Sequence, residues 1–284
     1  MEHLSSLAEW RSFCESHRRT GQRIGLVPTM GALHAGHASL FRTAAEQGDV
    51  VVATLFVNPR QFNDAGDLAR YPRTPAADAA LAESHGVHCL VEPAIAEMWP
   101  DYPAPTATTV SVHGLGDVLE GAGRPGHFDG VASVVAKLFA LTGPCRAYFG
   151  EKDFQQLCVI RQMVRDLSFD VEVVGCPIVR EPDGLALSSR NQLLDEDERA
   201  RALGLARALA TAAVPASASE LRARMRAELE RHGLEVAYAE VVDPKTLVPS
   251  TDDLSGPRRA LVAASVHGVR LIDNGPVTVT AKEA

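Results

Sequence analysis

Two histidines three positions apart stand in the decamer PTMGALHAGH, residues 28–37, directly behind a short apolar run. Gly31 and Gly36 let the backbone come close to a ligand, and free backbone amides at the start of a helix attract anions. His34 and His37 then flank that anion site. Imidazoles placed there can donate hydrogen bonds to phosphate oxygens and offset the charge that develops when a pyrophosphate leaves.

The ordinary nucleotide-binding fingerprints are absent from this decamer. It contains neither G-x-G-x-x-G nor the G-K-[ST] ending of a P-loop. A plainer interpretation is that the two histidines only cap the helix that follows, and the sequence leaves that alternative open.

Two later stretches carry cations at similar places. RAYFGEKDFQQ puts Gly150 at a predicted strand end and Lys152 before the next helix, and only four lysines occur among the 28 basic residues. LALSSRN places Ser188, Ser189 and Arg190 together on a loop, where the guanidinium can bind phosphate oxygens in a forked arrangement. A solvated surface lysine and an ordinary capped helix start are the alternatives for these two stretches.

Alternating hydrophobic periods predict the elements that position these residues. Short apolar, β-branched runs alternate with segments of helical spacing through most of the first 180 residues. This alternation predicts a Rossmann-like, doubly wound parallel sheet, with the ligand site at the carboxyl ends of its strands. Strands are expected at 23–28, 49–57, 87–91, 146–150 and 170–179, and helices at 1–21, 36–48, 74–85, 128–142 and 154–167.

The alternation of strand and helix patterns ends near residue 180. Asp183-Gly184 is a hairpin-type turn, two arginine- and alanine-rich helices follow at 195–213 and 217–232, and short strands close the chain. We therefore expect a Rossmann-like domain over residues 1–178 and a smaller α+β domain over 179–284.

Composition excludes several classes of protein. A formal charge of −8 and a pI near 5.7 argue against nucleic acid as the main partner. No apolar stretch approaches the roughly 18 residues that a membrane span needs. Five cysteines without a C-x-x-C pair form neither a disulfide framework nor a zinc site, so we expect a cytoplasmic protein.

Six motifs in order carry a resemblance to a known family. PTMGALHAGH, FVNPRQFN, ARYPRT, RPGHFDG, YFGEKDFQQ and LSSRN resemble the pantothenate synthetases, over residues 23 to 195. The resemblance implies an H-x-G-H nucleotidyltransferase fold and a cytoplasmic, homodimeric ligase that depends on ATP and Mg²⁺. Such an enzyme joins pantoate to β-alanine through an adenylate and releases AMP and pyrophosphate.

The resemblance also assigns roles to individual residues. It implies that the first domain binds ATP and pantoate, with Gln61 and Gln156 holding pantoate, since an amide donates and accepts at once. His34, His37, Lys152 and Arg190 are expected to be catalytic, and the metal ligands stay undefined. The residues expected to bind ATP are Met30, Gly31, His34, Gly36, His37, Gly150, Glu151, Lys152, Asp153, Val179, Leu187, Ser188, Ser189 and Arg190.

This sequence departs from the family pattern at two places. Leu187 stands where methionine is expected, an apolar exchange of similar volume. Asp78 follows two alanines where an acidic run is common, which puts magnesium coordination by that segment in doubt. Arg124 and His127 belong to a loop near the site, with roles that the sequence does not define. We expect Arg190 to act on a C-terminal lid and Lys152 on the sheet domain.

Two other classes of function remain at this point. One is another H-x-G-H nucleotidyltransferase, such as a cytidylyltransferase or a fragment of an aminoacyl-tRNA synthetase. The other is a non-catalytic regulator that binds ATP on the same sheet and releases no AMP. Exchange of labelled pyrophosphate into ATP that depends on pantoate and not on amino acids separates the family from the other nucleotidyltransferases, and AMP release separates it from the regulator.

Overall fold

The computed structural model describes residues 1–282, which fold as two compact units. The first unit contains Met1–Glu151 and Gln155–Pro177. The second contains Lys152–Phe154 and the chain from Ile178 onward. Each unit has its own sheet.

A parallel sheet forms the centre of the first unit. Among the described residues it has six strands in the order β1-β4-β3-β2-β5-β6, and each neighbouring pair is parallel. Val51, Val52 and Ala53 are fully buried, as expected for a strand covered by helices on both faces. The strands are β1 Glu2–Leu4, β2 Ile24–Thr29, β3 Val50–Leu55, β4 Cys89–Val91, β5 Cys145–Gly150 and β6 Val171–Cys176.

Helices connect these strands, so the predicted α/β class is confirmed. The predicted helices form close to their expected bounds except at the N-terminus, where the helix expected over 1–21 begins at Leu7 because Glu2–Leu4 pair with β4 as β1. Three helices of four to six residues were also not predicted. The helices of this part of the chain are α1 Leu7–Arg19, α2 Ala35–Glu46, α3 Ala65–Arg70, α4 Pro75–Ser84, α5 Ile95–Met98, α6 Glu120–Gly123, α7 His127–Thr142 and α8 Phe154–Asp166.

The second unit is the predicted smaller α+β structure. Two helices, α9 Glu196–Thr211 and α10 Ala218–Arg231, belong to it together with a three-stranded antiparallel sheet in the order β7-β8-β9. Their apolar faces share one core that includes Leu205, Leu229 and Val262. The strands are β7 Glu235–Val242, β8 Gly256–Val266 and β9 Val269–Val279.

Lys152 belongs to the second unit, whereas our expected boundary at residue 178 places it in the first. Two contacts account for this difference. The Asn274 Nδ2 group donates to the Lys152 carbonyl oxygen at 2.8 Å, and the Arg259 guanidinium lies 4.3 Å from the centroid of the Phe154 ring. The chain therefore contributes three residues to the second unit before α8 continues in the first.

Over residues 1–282, no helix is both long and apolar enough to cross a membrane. The five cysteines are all buried free thiols.

Gly130 allows α7 to approach a single-turn 3-10 helix, Pro59–Gln61, at very short range. A Cβ atom at this position would lie 2.3 Å from the Arg60 carbonyl oxygen and 2.8 Å from the Gln61 Cα atom. Both of these are backbone atoms, so no side-chain rotation relieves the clash. The glycine thereby positions the segment that carries Gln61.

We predict that Gly130→Ala destabilises the protein by about 1–3 kcal/mol, because the 3-10 helix must move away from α7. Urea unfolding measures the change. Gly275→Ala is the matched control, since a Cβ there meets nothing within 4 Å. Equal stability of the two variants would contradict this packing argument.

Candidate active site

His34 and His37 form a reciprocal cap at the start of α2. The Gly36 amide donates to His34 Nδ1 at 3.1 Å, and the His34 amide donates to His37 Nδ1 at 3.3 Å. The two rings lie with their centroids 4.1 Å apart. Capping by the histidines, the plainer interpretation of the decamer, is therefore part of their role.

The cap also fixes where each neutral ring holds its proton. A ring nitrogen that accepts from a backbone amide carries no hydrogen, so the proton of His34 and of His37 is on Nε2. Each imidazole can then donate from Nε2, the atom on the side of the ring away from the capped amide. Capping and phosphate binding are compatible because they use different ring atoms.

Asp78 holds the backbone that leads into this cap. Its Oδ2 accepts from the Ala32 amide at 2.9 Å and its Oδ1 from the Leu33 amide at 2.8 Å. Gly31 and Ala32 both have positive φ, 83° and 49°, which directs successive amides towards one anion. The side chain of Thr74, the residue before α4, also donates to Oδ1, at 3.0 Å, and makes no capping bond to the helix.

These contacts change the predicted anion site. We expected free backbone amides to attract phosphate, but the amides of Ala32, Leu33, His34 and Gly36 already donate to side chains of the protein. At this turn the donors for a ligand are therefore imidazole groups rather than these four amides. The sequence did not single out Asp78 as a positioning residue.

Gln61 is buried and lies beside the same loop. Its Nε2 group donates to the Met30 sulfur at 3.0 Å, so a predicted pantoate residue and a predicted ATP residue are in contact. The backbone carbonyl oxygen of Gln61 accepts from His127 Nδ1 at 2.8 Å, and the Arg124 guanidinium lies 3.2 Å from His127 Nε2. Since a guanidinium only donates, His127 is the Nδ1-protonated tautomer and holds Gln61 in place.

The end of β5 carries the next group of predicted residues. Gly150 faces open space, where an added Cβ would meet nothing within 4 Å. Gln156 is partly exposed on α8, whereas its neighbour Gln155 is buried and donates to the Leu115 and Val118 carbonyl oxygens. Of the two glutamines, Gln156 is thus the one accessible to a ligand.

The remaining predicted residues lie in the second unit. A hairpin turns at Asp183-Gly184, as predicted, and the Leu187 amide donates to the Val179 carbonyl oxygen at 2.9 Å. Ser188 caps a short 3-10 helix, Ser189–Leu193, by accepting from the Arg190 amide. Lys152, Ser188 and Asn191 line one small cavity there, and Lys152 is 3.7 Å from the Asp153 carboxylate.

Neither a metal cluster nor a thiol nucleophile is indicated. Within residues 1–282, no three His, Cys, Asp or Glu side chains are arranged to hold a metal ion. Burial raises the pKa of the Cys14 thiol to about 11 and that of Cys89 to about 12, so both stay protonated near neutral pH.

We predict that Asp78→Asn lowers the free energy of unfolding by about 1–3 kcal/mol, because an amide NH₂ must then face a backbone N–H. Thr74→Val removes a single bond to the same carboxylate and should have a smaller effect. Thermal unfolding of both variants tests this order. Wild-type stability of Asp78→Asn would show that the carboxylate does not hold the loop.

Comparisons with known proteins agree with the sequence resemblance. The family model for pantoate-beta-alanine ligase matches residues 2–276. Pantothenate synthetase of Koribacter versatilis is 49% identical over 280 residues, covering 96% of this chain and 95% of that protein. The Cereibacter sphaeroides enzyme of the same name is 50% identical over 279 residues, covering 96% and 99%.

Solved structures give the same result. Pantothenate synthetase from Thermus thermophilus superposes with a TM-score of 0.87 at 45% identity, covering 97% of this chain and 99% of that one. A pantoate-beta-alanine ligase from Francisella tularensis, complexed with beta-gamma ATP and beta-alanine, gives 0.80 at 33% identity, covering 97% of each. The chain therefore belongs to the pantoate–β-alanine ligase family.

Proposed function

We propose that this enzyme condenses (R)-pantoate with β-alanine in two steps. The pantoate carboxylate attacks the α-phosphorus of ATP, and pyrophosphate leaves. The β-alanine amine then attacks the acyl carbon of pantoyl adenylate, loses a proton, and AMP leaves. Family membership and the imidazole pair at the β2–α2 turn support this reaction.

The imidazole pair is the observation that carries the proposal. Both rings point their proton-bearing Nε2 atoms away from the capped backbone, and both are only partly buried. Donors fixed in advance stabilise charge as it develops on phosphate oxygens without reorganising. We assign the triphosphate to His34 and His37 on this basis.

The second unit supplies the proposed cationic groups. Lys152, with a side chain 18% exposed, and Arg190 both lie in this unit, which also carries the hydroxyls of Ser188 and Ser189. Ammonium, guanidinium and hydroxyl groups suit phosphate oxygens. The remaining ATP contacts are proposed for Met30, Gly31, Gly36, Gly150, Glu151, Asp153, Val179 and Leu187.

Pantoate is assigned to the two glutamines. Gln61 is held rigidly beside Met30, and Gln156 is accessible on α8. Two amides can bind a hydroxyl and a carboxylate together and so orient the attacking oxygen. No covalent enzyme intermediate is needed.

Mg²⁺ is proposed to enter with ATP as part of the substrate. The described residues offer no three-ligand cluster, and Asp78 uses both of its oxygens for the loop. Magnesium commonly binds mainly through substrate phosphates and water, which fits such a site.

We further propose that the protein works in the cytoplasm as a homodimer. Five free, buried thiols are typical of a reducing compartment. The homodimer follows from the family resemblance, and sedimentation of the purified protein tests it.

The decisive assay measures AMP with ATP, pantoate and β-alanine, omitting each in turn. We expect pyrophosphate exchange into ATP to require pantoate but not β-alanine. Pantothenate should form only when all three substrates are present. ATP binding without AMP release would indicate the non-catalytic regulator instead.

We predict that His37→Ala slows pyrophosphate exchange by about 30-fold or more, the loss expected for one transition-state donor worth about 2 kcal/mol. His37→Glu separates this role from capping, since glutamate is favoured at the same capping-box position. It should recover stability but not activity. Full activity of His37→Glu would reduce His37 to a cap, and His3→Ala, an exposed site, is the control.

We predict that Lys152→Ala and Arg190→Ala both slow pyrophosphate exchange, by about 100-fold each, as expected for loss of a charge at a developing phosphate anion. Arg190→Lys should recover part of the rate, because it keeps the charge and loses the fork. Lys245→Ala and Arg201→Ala remove exposed cations of the same unit as controls. Rates equal to those controls would refute the assignment.

A further inference from the structure

The indole of Trp99 is held at the end of α5 by two cations. Trp99 is 6% exposed, and its ring centroid lies 5.2 Å from the Arg60 guanidinium carbon and 5.2 Å from Lys137 Nζ. Lys137 also donates to the Met98 carbonyl oxygen, one residue before the indole. Cations over an aromatic ring attract its electron-rich face, so the orientation of the indole is fixed.

The indole N–H sets the orientation of the Asn58 amide together with the Arg60 backbone amide, which donates to the same Oδ1 at 3.3 Å. Trp99 Nε1 donates to Asn58 Oδ1 at 3.0 Å, and Asn58 is 1% exposed. Because an indole nitrogen can only donate, the oxygen of Asn58 must face Trp99. The Asn58 Nδ2 group then points the other way and donates to Gln61 Oε1 at 3.0 Å and to the Gly130 carbonyl oxygen at 3.1 Å.

The orientation of the Asn58 amide in turn determines the orientation of the Gln61 side-chain amide. Its Oε1 atom must face the Asn58 donor, so its Nε2 group points to the Met30 sulfur at 3.0 Å. A thioether is a weak acceptor, and a substrate oxygen is a better partner for that donor. The direction of each hydrogen bond from Trp99 to Gln61 is thus set by the indole N–H together with the Arg60 amide and the Gly130 carbonyl oxygen.

We propose that Trp99 is a positioning residue for pantoate, because its shorter bond to Asn58 helps to hold Gln61 with Nε2 as the donor towards an oxygen of the acid. This inference rests on the proposed role of Gln61. Without the indole N–H, Asn58 Oδ1 keeps only the 3.3 Å bond from the Arg60 amide, so the Asn58 amide, and Gln61 through it, is held less tightly. The Nε2 donor of Gln61 would then be less well ordered towards an acceptor in the substrate.

Trp99→Phe tests the inference, because phenylalanine keeps a ring for the two cations and lacks the N–H. We expect the KM for pantoate to rise about five- to tenfold, as for one buried neutral hydrogen bond, with the KM for ATP and kcat unchanged. Trp10→Phe makes the same truncation at a fully buried site in α1 and is the matched control. It should leave the pantoate KM unchanged.

A double-mutant cycle with Gln61→Ala separates positioning from loosened packing. If Trp99 acts through Gln61, adding Trp99→Phe to Gln61→Ala raises the pantoate KM no further. An equal rise in both backgrounds, or a rise in the KM for ATP, would overturn the inference. If Gln61→Ala raises the pantoate KM but Trp99→Phe does not, the inference about Trp99 is refuted and the proposed role of Gln61 stands. If Gln61→Ala leaves the pantoate KM unchanged, the proposed role of Gln61 is refuted as well.

Fluorescence provides a readout that does not need the Trp99 variant to fold. The chain has two tryptophans, so Trp10→Phe leaves Trp99 as the only one. Pantoate should change the emission of this variant, and the change should disappear when Gln61→Ala is added. Emission that does not change when pantoate is added, or a change that persists in the Gln61→Ala variant, would contradict the proposed series of hydrogen bonds.

Discussion

The buried carboxylate of Asp78 is the contact on which the imidazole site depends. Two consecutive residues with positive φ, Gly31 and Ala32, create a concave set of amides of the kind that binds anions. Here the anion is a side chain of the protein itself, held at 2.8 and 2.9 Å. These backbone amides are therefore already paired when a ligand arrives, and the imidazoles of His34 and His37 are the donors that we propose for it.

Gln61 is likewise fixed by hydrogen bonds within the protein, here from neutral groups. Its carbonyl oxygen is held by His127, its side-chain oxygen by Asn58, and its backbone by contact with Gly130. One distant helix, α7, and the nearby Asn58 thus fix one amide whose Nε2 group donates to a weak acceptor. A side chain restrained this way loses little entropy when it binds a substrate, which favours orientation of the attacking oxygen.

The sequence predicts what is local and misses what is distant. Period and turn signals located the strands around Val51 and the helix behind His37, because burial on one or both faces leaves a pattern within a few residues. The three-residue strand β1 is too short to show a period. Asp78 reaches a loop 45 residues earlier, and hydrogen bonds of that range leave no pattern in a single sequence. The glutamines were found only through the family motifs.

The assignment of Lys152 illustrates the same limit with a consequence for chemistry. Its position just after β5 suggests the sheet scaffold, yet Asn274, 122 residues later, holds its carbonyl oxygen and places it with the second unit. Imidazole and amide donors are thus supplied by the first unit, while Lys152 and Arg190 are carried by the second. The positive charge proposed for the phosphates therefore depends on residues beyond the sheet. The lid expected to carry Arg190 stays a prediction, while Lys152 groups with the second unit rather than with the sheet.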